Sequence, residues 1–269
     1  TTLLIFTQGC DKQRNLDIND YDPVKVSPGE FIPPLQVNKT LNPRIVQLGD
    51  QLFHDPRLSH NDTISCAHCH KLNLGGTDNL AVSIGIDAQV GSLNSPSVLN
   101  SGHNFSQFWD GRASTLEEQI NGPILNPIEM NTNWKTVVRK LSRDPGYRKK
   151  FNSLFEDGIT AENIRIAIAT FERSLDTPSP FDAYLLGDER AINRDAKQGF
   201  QRFKDLGCIS CHHGINIGGN LYQKLGVIGD YFEDRGGVSK SDYGRFNVTG
   251  DESDKFKFKV PSLRNVAKT

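Results

Sequence analysis

The sequence predicts a mainly α-helical, loop-rich protein that contains two copies of one structural unit. Apolar residues recur at helical spacing through much of residues 134–206, and the alternation typical of strands is scarce. The 24 glycines and the hydrophobic fraction of 36% favour many loops. Gly, Phe and Asp occur with the same internal spacing at 49–55 and at 199–205, and a Gly-Gly pair follows each copy. This repetition predicts an internal duplication.

Four helices are predicted from the apolar stripes. The second is expected to end at Gly158, a good C-terminal cap, and Thr160 can cap the start of the third. The Thr-Pro-Ser-Pro run at 177–180 breaks the third helix and is the best candidate for a linker. The fourth helix ends at Gly207. The stripes are Trp134, Val137, Val138 and Leu141; Tyr147, Phe151, Leu154 and Phe155; Ile164, Ala167, Ile168, Phe171 and Leu175; and Ala196, Phe200, Phe203 and Leu206.

A Cys-x-x-Cys-His motif stands in each copy, and we call these the first motif (residues 66–70) and the second motif (residues 208–212). Two thiols at this spacing can form thioethers with the two vinyl groups of one porphyrin, and the following histidine can ligate its iron. Zinc would give no reason for a histidine after each distant cysteine pair. A thioredoxin-like dithiol would need a βαβ context that neither motif has. The sequence therefore predicts two covalent haem c groups, held by Cys66, Cys69 and His70 and by Cys208, Cys211 and His212.

Haem uses four of the five cysteines and leaves Cys10. Residues 1–10 resemble the end of the apolar core of a signal peptide followed by a lipidation cysteine. The alternative is a frayed apolar terminus with a free thiol. Covalent haem and this leader predict a periplasmic protein with a lipid anchor at Cys10. The net charge of −1 gives no sign of nucleic-acid binding, and no stretch approaches the roughly 20 apolar residues of a membrane span.

Three segments are expected along the chain. Residues 1–31 are the leader remnant and an N-terminal extension. Residues 32–179 form an N-terminal, cytochrome-c-like haem domain, and residues 180–269 form a second one. A chain of 269 residues is long enough for two domains of medium size, each with its own core.

Six further segments accompany the two motifs, at residues 52–59, 94–97, 107–112, 118–123, 127–130 and 261–265. Together with the motifs, these segments resemble the bacterial di-haem cytochrome c peroxidases and the related MauG enzymes. The resemblance runs from about Gly49 to the end of the sequence. It implies that the N-terminal haem reduces hydrogen peroxide, while the C-terminal haem relays electrons from a small cytochrome c or cupredoxin. A homodimer is expected, since relatives are often dimeric.

The distal residues of the family, beside the peroxide, fall on Gln119, Pro123 and Glu129. Breaking the O–O bond requires a proton to move from one oxygen to the other, and a carboxylate such as Glu129 can accept and return it. Burial above a porphyrin would raise the pKa of that carboxylate toward the working pH. Gln119 can hold peroxide by hydrogen bonding. Without the resemblance, Glu129 would be interpreted as one solvated carboxylate among 32 acidic residues.

The resemblance assigns two further roles. Trp109 falls where the family has an aromatic bridge between the haems, although a lone tryptophan is usually core packing. Asn94 aligns with a calcium ligand of the family. The backbone carbonyls of Lys259 and Pro261 would be the other calcium ligands that the protein provides. Calcium readily takes amide and carbonyl oxygens. The alternative is an Asn-Ser-Pro turn without a metal.

Two features depart from the family. Many members have a histidine after the Ser-x-Gly at 83–85 that caps the peroxidatic iron at rest, whereas this chain has Ile86. We therefore predict a resting N-terminal haem that needs no prior reduction, unless His103 replaces the missing ligand. Family members also continue beyond Asn265, so the C-terminal domain is expected to be truncated and its haem to lack an assigned sixth ligand. MauG-like oxidation of a protein side chain and a non-enzymatic electron carrier stay open as alternatives.

Overall fold

Short helices joined by loops make up the computed structural model, which describes residues 31–226, 229 and 231–269. In this part of the chain the strands are few, and the prediction of a mainly helical, loop-rich fold is confirmed. The helices are α1 (Pro43–Phe53), α2 (Cys66–Cys69), α3 (Leu116–Gln119), α4 (Asn121–Leu125), α5 (Trp134–Ser142), α6 (Pro145–Asn152), α7 (Ala161–Arg173), α8 (Pro180–Leu185), α9 (Arg194–Asp205), α10 (Tyr231–Asp234) and α11 (Phe246–Thr249).

Smaller elements connect these helices. Strands β1 (Tyr222–Lys224) and β2 (Lys257–Lys259) form an antiparallel pair in which Tyr222 lies opposite Lys259. This pair joins the chain after the second motif to the segment near residue 260. Single turns of 3-10 helix lie at Pro56–Leu58, Leu72–Leu74, Ile86–Ala88, Ser101–His103, Cys208–Ser210, Lys240–Tyr243 and Glu252–Asp254.

The four predicted helices are present as α5, α6, α7 and α9. As predicted, the Thr160 hydroxyl caps α7 by accepting a hydrogen bond from Asn163 N (3.1 Å). The predicted end of the second helix was wrong by about one turn. Helix α6 ends at Asn152, so Leu154 and Phe155 lie beyond it, in the turn that reaches Gly158. Gly158 has a φ of 65° and therefore ends this turn rather than the helix.

The core of the described chain is built around α1 and α7. Gly49 allows these helices to approach closely, because a Cβ added there would lie only 1.9 Å from the Ala167 carbonyl oxygen. Leu52 and Phe53 on α1 have no exposed surface. Burying a side chain of this size stabilises a fold by about 1.5–3 kcal/mol. The buried residues that α7 contributes include Ile164, Ala167, Ile168 and Phe171, as its apolar stripe predicts.

The region around α9 is packed differently. No residue of α9 is buried, although its apolar stripe is the predicted one. Phe200 contacts the ring of Phe181 at 5.0 Å between ring centres. Gly199, the counterpart of Gly49, would have no atom within 4 Å of an added Cβ. Leu206, at the end of this helix, is 79% exposed. Apolar surface beside the second motif therefore stays accessible.

Asp182, in the first turn of α8, joins parts of the chain that are distant in sequence. Its carboxylate forms a buried ion pair with Arg264 (2.8 Å) and accepts hydrogen bonds from Leu35 N (2.7 Å) and Ser179 N (2.7 Å). Burial alone would raise the pKa of Asp182, but the hydrogen bonds and charge of Arg264 outweigh it and leave that pKa below its usual value. The two hydrogen bonds, from Leu35 and Ser179, cross the predicted boundary between residues 179 and 180.

Residues 31–38, which precede α1, lie against later parts of the chain. The Phe31 carbonyl accepts a hydrogen bond from Gly214 N (2.7 Å), and Asn38 N donates to Asp176 Oδ2 (2.9 Å). Ile32 and Leu35 are buried. Residues 1–30, with the predicted lipidation site Cys10, lie outside the described residues. Within the described ranges, every helix is too short or too polar to cross a membrane.

Candidate functional site

Each cysteine motif forms one helical turn that is closed by its histidine. His70 N donates to the Cys66 carbonyl (3.0 Å), and His212 N donates to the Cys208 carbonyl (2.9 Å). Residues three apart on a helical turn project from the same side, so both thiols of a motif can reach one flat ring. None of the four motif cysteines forms a disulfide. The donor set of both turns is therefore two thiols and one imidazole.

A backbone carbonyl holds each of these histidines by its Nδ1 atom. His70 Nδ1 lies 3.2 Å from the Gly76 carbonyl oxygen, and His212 Nδ1 lies 3.2 Å from that of Ile217. A carbonyl can only accept, so each Nδ1 donates and each Nε2 keeps a lone pair that could bind iron. Ser95 Oγ also lies at the edge of the His70 ring, 3.1 Å from Nδ1 and 3.3 Å from Nε2. Burial lowers the pKa of His70, which favours the neutral, ligating form.

Each carbonyl that accepts from a histidine Nδ1 also accepts a hydrogen bond from another segment of the chain. Both of these segments have the sequence Pro-Ser-x-x-Asn. Val98 N donates to the carbonyl that orients His70 (3.1 Å), and Leu263 N donates to the one that orients His212 (3.3 Å). The family resemblance points to both segments, but sequence reasoning missed that they are copies of one pattern. Aligning them with each other would have revealed it. They occupy residues 96–100 and 261–265.

The surroundings of both motifs fit a haem. Burial raises the pKa of the Cys66 thiol, and it raises that of Cys69 to about 11, so both thiols are neutral in an apolar setting that suits vinyl groups. Glu172 acts electrostatically on Cys66, and its Oε2 atom is buried without a hydrogen-bond partner among the described residues. A buried polar atom usually has a hydrogen-bond partner, so the unpaired Oε2 of Glu172 is consistent with a bound group beside the first motif. Beside the second motif, the accessible surface of Leu206 is of the apolar kind that a porphyrin covers.

Glu129 lies close to the first motif, since its charge contributes to the raised pKa of Cys69. Its Oε1 accepts a hydrogen bond from Asn126 Nδ2 (2.6 Å). Burial raises the pKa of Glu129, and the bond from Asn126 and the positive charge of Arg112 offset that rise in part. A carboxyl that is partly buried and holds its proton more tightly than usual can take up and return a proton.

The other distal candidates lie on the helical segment before Glu129. The Pro123 carbonyl accepts from Met130 N (3.2 Å), which brings Pro123 against the turn that carries Glu129. Gln119 is the last residue of α3, one turn before Pro123. Its side chain makes no hydrogen bond within the described part of the chain. The structure therefore brings Pro123 and Glu129 together and places Gln119 on the adjoining turn.

Phe108 also belongs to this neighbourhood, and sequence reasoning missed it. A Cβ added to Gly122 would lie 2.5 Å from the ring of Phe108, so the ring lies directly against α4. The guanidinium of Arg112 stacks on the same ring at 3.4 Å. Phe108 has a φ of 66°, a conformation that is unusual for a bulky residue. Nothing in the local sequence signals that conformation.

Trp109 connects two of the three predicted calcium ligands, Asn94 and Lys259. Its Nε1 donates to the Asn94 carbonyl (3.1 Å), and its own carbonyl accepts from Lys259 N (2.8 Å). The Lys259 side chain is buried and donates to the Ser106 carbonyl (2.9 Å), and burial lowers its pKa to about 8. The Pro261 carbonyl oxygen lies 2.2 Å from where a Cβ on Gly218 would be, and so packs against the loop after the second motif.

Ile86 is fully buried, and its backbone N donates to the Glu129 carbonyl (2.8 Å). Gly85 permits this approach, because a Cβ there would lie 2.0 Å from the Ile128 carbonyl oxygen. The loop is thus packed onto the segment that carries Glu129. The other candidate ligand, His103, lies with its Nε2 2.8 Å from Asp176 Oδ1.

The sequence matches the model of a family described as di-haem cytochrome c peroxidase over residues 43–190. It is 48% identical over 242 residues to the cytochrome c peroxidase Ccp of Escherichia coli K12, covering 89% of this chain and 52% of that protein. It is 46% identical over 242 residues to the cytochrome c551 peroxidase of Nitrosomonas europaea, with coverages of 89% and 71%. The solved structure of a MauG-like protein associated with microbial copper homeostasis superimposes with a TM-score of 0.78 at 29% identity, covering 93% of this chain and 76% of that one.

Two matching Cys-x-x-Cys-His turns in a helical, loop-rich fold define a c-type protein with two haems. The chain belongs to the di-haem cytochrome c peroxidase family, which is related to MauG. Family membership implies two haem c groups. The chain spans about half the length of the Escherichia coli relative.

Proposed function

We propose that this chain carries the haem-binding part of a peroxidase that reduces hydrogen peroxide to water with electrons from a small redox protein. The observation that carries the proposal is Glu129, a partly buried carboxyl next to the first motif with a raised pKa. The names of relatives that are 46–48% identical support it. Haem bound at the first motif would supply the iron at which peroxide is reduced.

The protein's contribution is to hold peroxide and move its proton. Glu129 accepts a proton from the bound peroxide and returns it to the departing oxygen, so that water leaves instead of hydroxide. Asn126, through its 2.6 Å bond, fixes the orientation of the Glu129 carboxyl. Gln119 offers an amide for hydrogen bonding to peroxide, and Pro123 fixes the turn opposite Glu129. The buried Ile86 packs the neighbouring loop onto the segment that carries Glu129.

The unit around His212 receives electrons from a small cytochrome c or cupredoxin. Trp109 provides the aromatic bridge toward the first motif. Its indole N–H donates to the Asn94 carbonyl and its own carbonyl accepts from Lys259 N, and these two hydrogen bonds link both halves of the described chain. Calcium would be a structural ion here, bound by Asn94 and by the carbonyls of Lys259 and Pro261. The hydrogen bonds that join Asn94 and Lys259 through Trp109 support this proposal.

The test is steady-state consumption of hydrogen peroxide by the haem-loaded protein with reduced cytochrome c as donor. We expect donor oxidation that depends on both peroxide and enzyme, with two donor electrons used per peroxide. A preparation that binds both haems, takes electrons from the donor and yet consumes no peroxide would identify an electron carrier instead.

The MauG-like structural neighbour favours a second candidate, the peroxide-dependent oxidation of a protein side chain. In that reaction peroxide takes its electrons from a protein substrate instead of a small donor. Mass spectrometry separates the candidates. Oxidised side chains that accumulate in a partner protein, with slow donor oxidation, would support the MauG-like reaction.

We further propose a periplasmic location with a lipid anchor at Cys10, and a homodimer. The anchor is supported by the leader-like sequence of residues 1–10. We also infer that the halves at 32–179 and 180–269 are haem domains that arose by duplication. The support is the repeated Gly, Phe and Asp pattern, the two Pro-Ser-x-x-Asn segments and their matching hydrogen bonds to the histidine-orienting carbonyls.

A further inference from the structure

Thr177 lies between α7 and α8, in the linker that the sequence predicts. Its hydroxyl oxygen accepts one hydrogen bond from Asn100 Nδ2 (2.8 Å) and another from Asn265 Nδ2 (3.2 Å). A hydroxyl oxygen has two acceptor lone pairs, so one atom can serve both amides. Asn100 and Asn265 are the last residues of the two Pro-Ser-x-x-Asn segments. One side chain therefore contacts the equivalent residue in both copies.

The two asparagines have the same conformation. Their φ values are 60° and 61°, in the left-handed region that asparagine tolerates better than most residues. Each backbone carbonyl accepts from the residue three positions later, His103 N for Asn100 (3.1 Å) and Lys268 N for Asn265 (2.7 Å). The turns that reach Thr177 are thus alike on both sides.

The serine of each segment fixes the connection back toward the histidine. Ser97 Oγ donates to the Gly75 carbonyl (2.7 Å), and Ser262 Oγ donates to the Asn216 carbonyl (2.8 Å). In both copies this acceptor directly precedes the carbonyl that holds the histidine Nδ1. The residue after the serine, Val98 or Leu263, donates to the histidine-holding carbonyl itself. A short, hydrogen-bonded route therefore runs from Thr177 to each imidazole.

We propose that Thr177 is a positioning residue for both iron-ligating histidines, with one hydroxyl setting the orientation of His70 and His212 through two equivalent segments. This rests on the two haems of the proposed function but not on peroxidase activity. The groups that orient a ligating histidine control its basicity and the angle of its ring, and both affect the iron. A displacement of the shared hydroxyl therefore acts on two iron centres together.

The experiment uses the full chain loaded with both haems and compares Thr177→Val with Thr177→Ser. Valine keeps the shape of threonine but accepts no hydrogen bond, whereas serine keeps the acceptor. In Thr177→Val we expect the equilibrium constant for reducing each haem to change about threefold to tenfold, where tenfold equals about 59 mV for one electron. The electron paramagnetic resonance signals of both haems should shift as well. Thr177→Ser should keep both wild-type potentials and both signals.

Two further variants test the segment that leads to His70 and the segment that leads to His212 separately. Asn100→Gly and Asn265→Gly remove one amide each, and glycine keeps the positive φ. We expect Asn100→Gly to shift the haem of His70 alone and Asn265→Gly to shift the haem of His212 alone. These two variants decide the question if Thr177→Val does not retain both haems.

The proposal is overturned if Thr177→Val moves only one haem or neither, if serine behaves like valine, or if either glycine variant moves both haems or neither. Absorbance measures the haem content and so tests separately whether each motif binds haem. Peroxide turnover is measured in a third assay. A failure of the proposed peroxidase activity is therefore distinguishable from a failure of the positioning role of Thr177.

Discussion

The first and second motifs have the same local geometry in different surroundings. In both, the histidine closes one helical turn and its Nδ1 bonds to a backbone carbonyl at 3.2 Å. Upstream of the first motif, Gly49 lies against the Ala167 backbone and Phe53 has no exposed surface. Their counterparts Gly199 and Phe203 lie on α9, which has no buried residue.

The two regions therefore share the local features that would attach haem and differ in how the surrounding helices are packed. The helical turn, the two cysteines, the histidine and the carbonyl acceptor that would hold each haem are alike in the two regions. The first region adds a tightly packed helical core and the carboxyl of Glu129 near its cysteines. The second offers accessible apolar surface instead, as at Leu206. Chemistry that needs a shielded proton donor fits the first region, and exchange of electrons with other proteins fits the second.

The largest expected effect tests whether chemistry is confined to the first region. Glu129→Gln should keep both haems and lose about 10²–10⁴-fold in peroxide turnover, because the amide cannot shuttle a proton. Electron uptake by the haem of His212 should stay normal. Turnover is measured with reduced cytochrome c, and Glu156→Gln, at an exposed position, is the matched control. Wild-type turnover in Glu129→Gln would remove this residue from the mechanism.

A second test asks how far the C-terminal region depends on buried polar contacts. Arg264→Met leaves the Asp182 carboxylate buried without its cation, and should lower the free energy of unfolding by about 3–5 kcal/mol. The pKa of Asp182 is lower in the folded than in the unfolded chain, so the pair stabilises the fold above the unfolded-state pKa. That contribution is lost as pH falls toward the folded-state pKa.

Denaturation of the haem-loaded protein, followed by circular dichroism at several pH values, measures both effects. The wild type should lose more stability on acidification than Arg264→Met does. Arg202→Met, at an exposed position on α9, should change little. Equal stabilities for wild type and Arg264→Met would show that the ion pair contributes nothing net.

The glycine pair tests the packing difference directly. In Gly49→Ala the new methyl group meets the Ala167 carbonyl, so overpacking should destabilise the fold by about 1–3 kcal/mol. Gly199→Ala meets no atom within 4 Å and should stabilise α9 by up to about 1 kcal/mol, because alanine favours a helix over glycine. Thermal unfolding of both variants measures the contrast. Equal effects at the two positions would contradict the different packing described here.

The smallest expected effect concerns the resting state of the first region. With Ile86 buried in place of a histidine, the oxidised protein should give a high-spin signal from the haem of His70 in electron paramagnetic resonance. Ile86→His should convert that signal to low spin and make activity depend on prior reduction. Ile84→His, two residues earlier at an exposed position, should keep the high-spin signal. Two low-spin haems in the unmodified protein would refute the prediction and point to a ligand such as His103.

Much of the helical fold could be predicted because its signals are local. The periodicity of α7 and the Thr160 cap are read from neighbouring residues, and both are confirmed. Helix α1 was missed, since a central glycine weakens its helix propensity and its stability comes from packing on α7. The assignment of the cysteine motifs to haem and of Glu129 to proton transfer rests on short patterns and the family resemblance, and stays a prediction.

What could not be predicted depends on long-range contacts. The sequence marks Thr177 only as part of a linker, because its two asparagine partners lie far from it along the chain. The positive φ of Phe108 and its packing against Gly122 arise from tertiary structure alone. The repeat of Pro-Ser-x-x-Asn is the exception, since it is visible in the sequence to a direct comparison of the two halves.

The contacts of residues 31–38 have a consequence for how the protein folds. Leu35 bonds to a residue 147 positions later, and Asn38 to one 138 positions later. Contacts of such separation form slowly, because a long chain must close before they gain anything. During synthesis these residues emerge long before their partners exist, so a segment made early is among the last to dock. Ile32 and Leu35 stay accessible to chaperones until then.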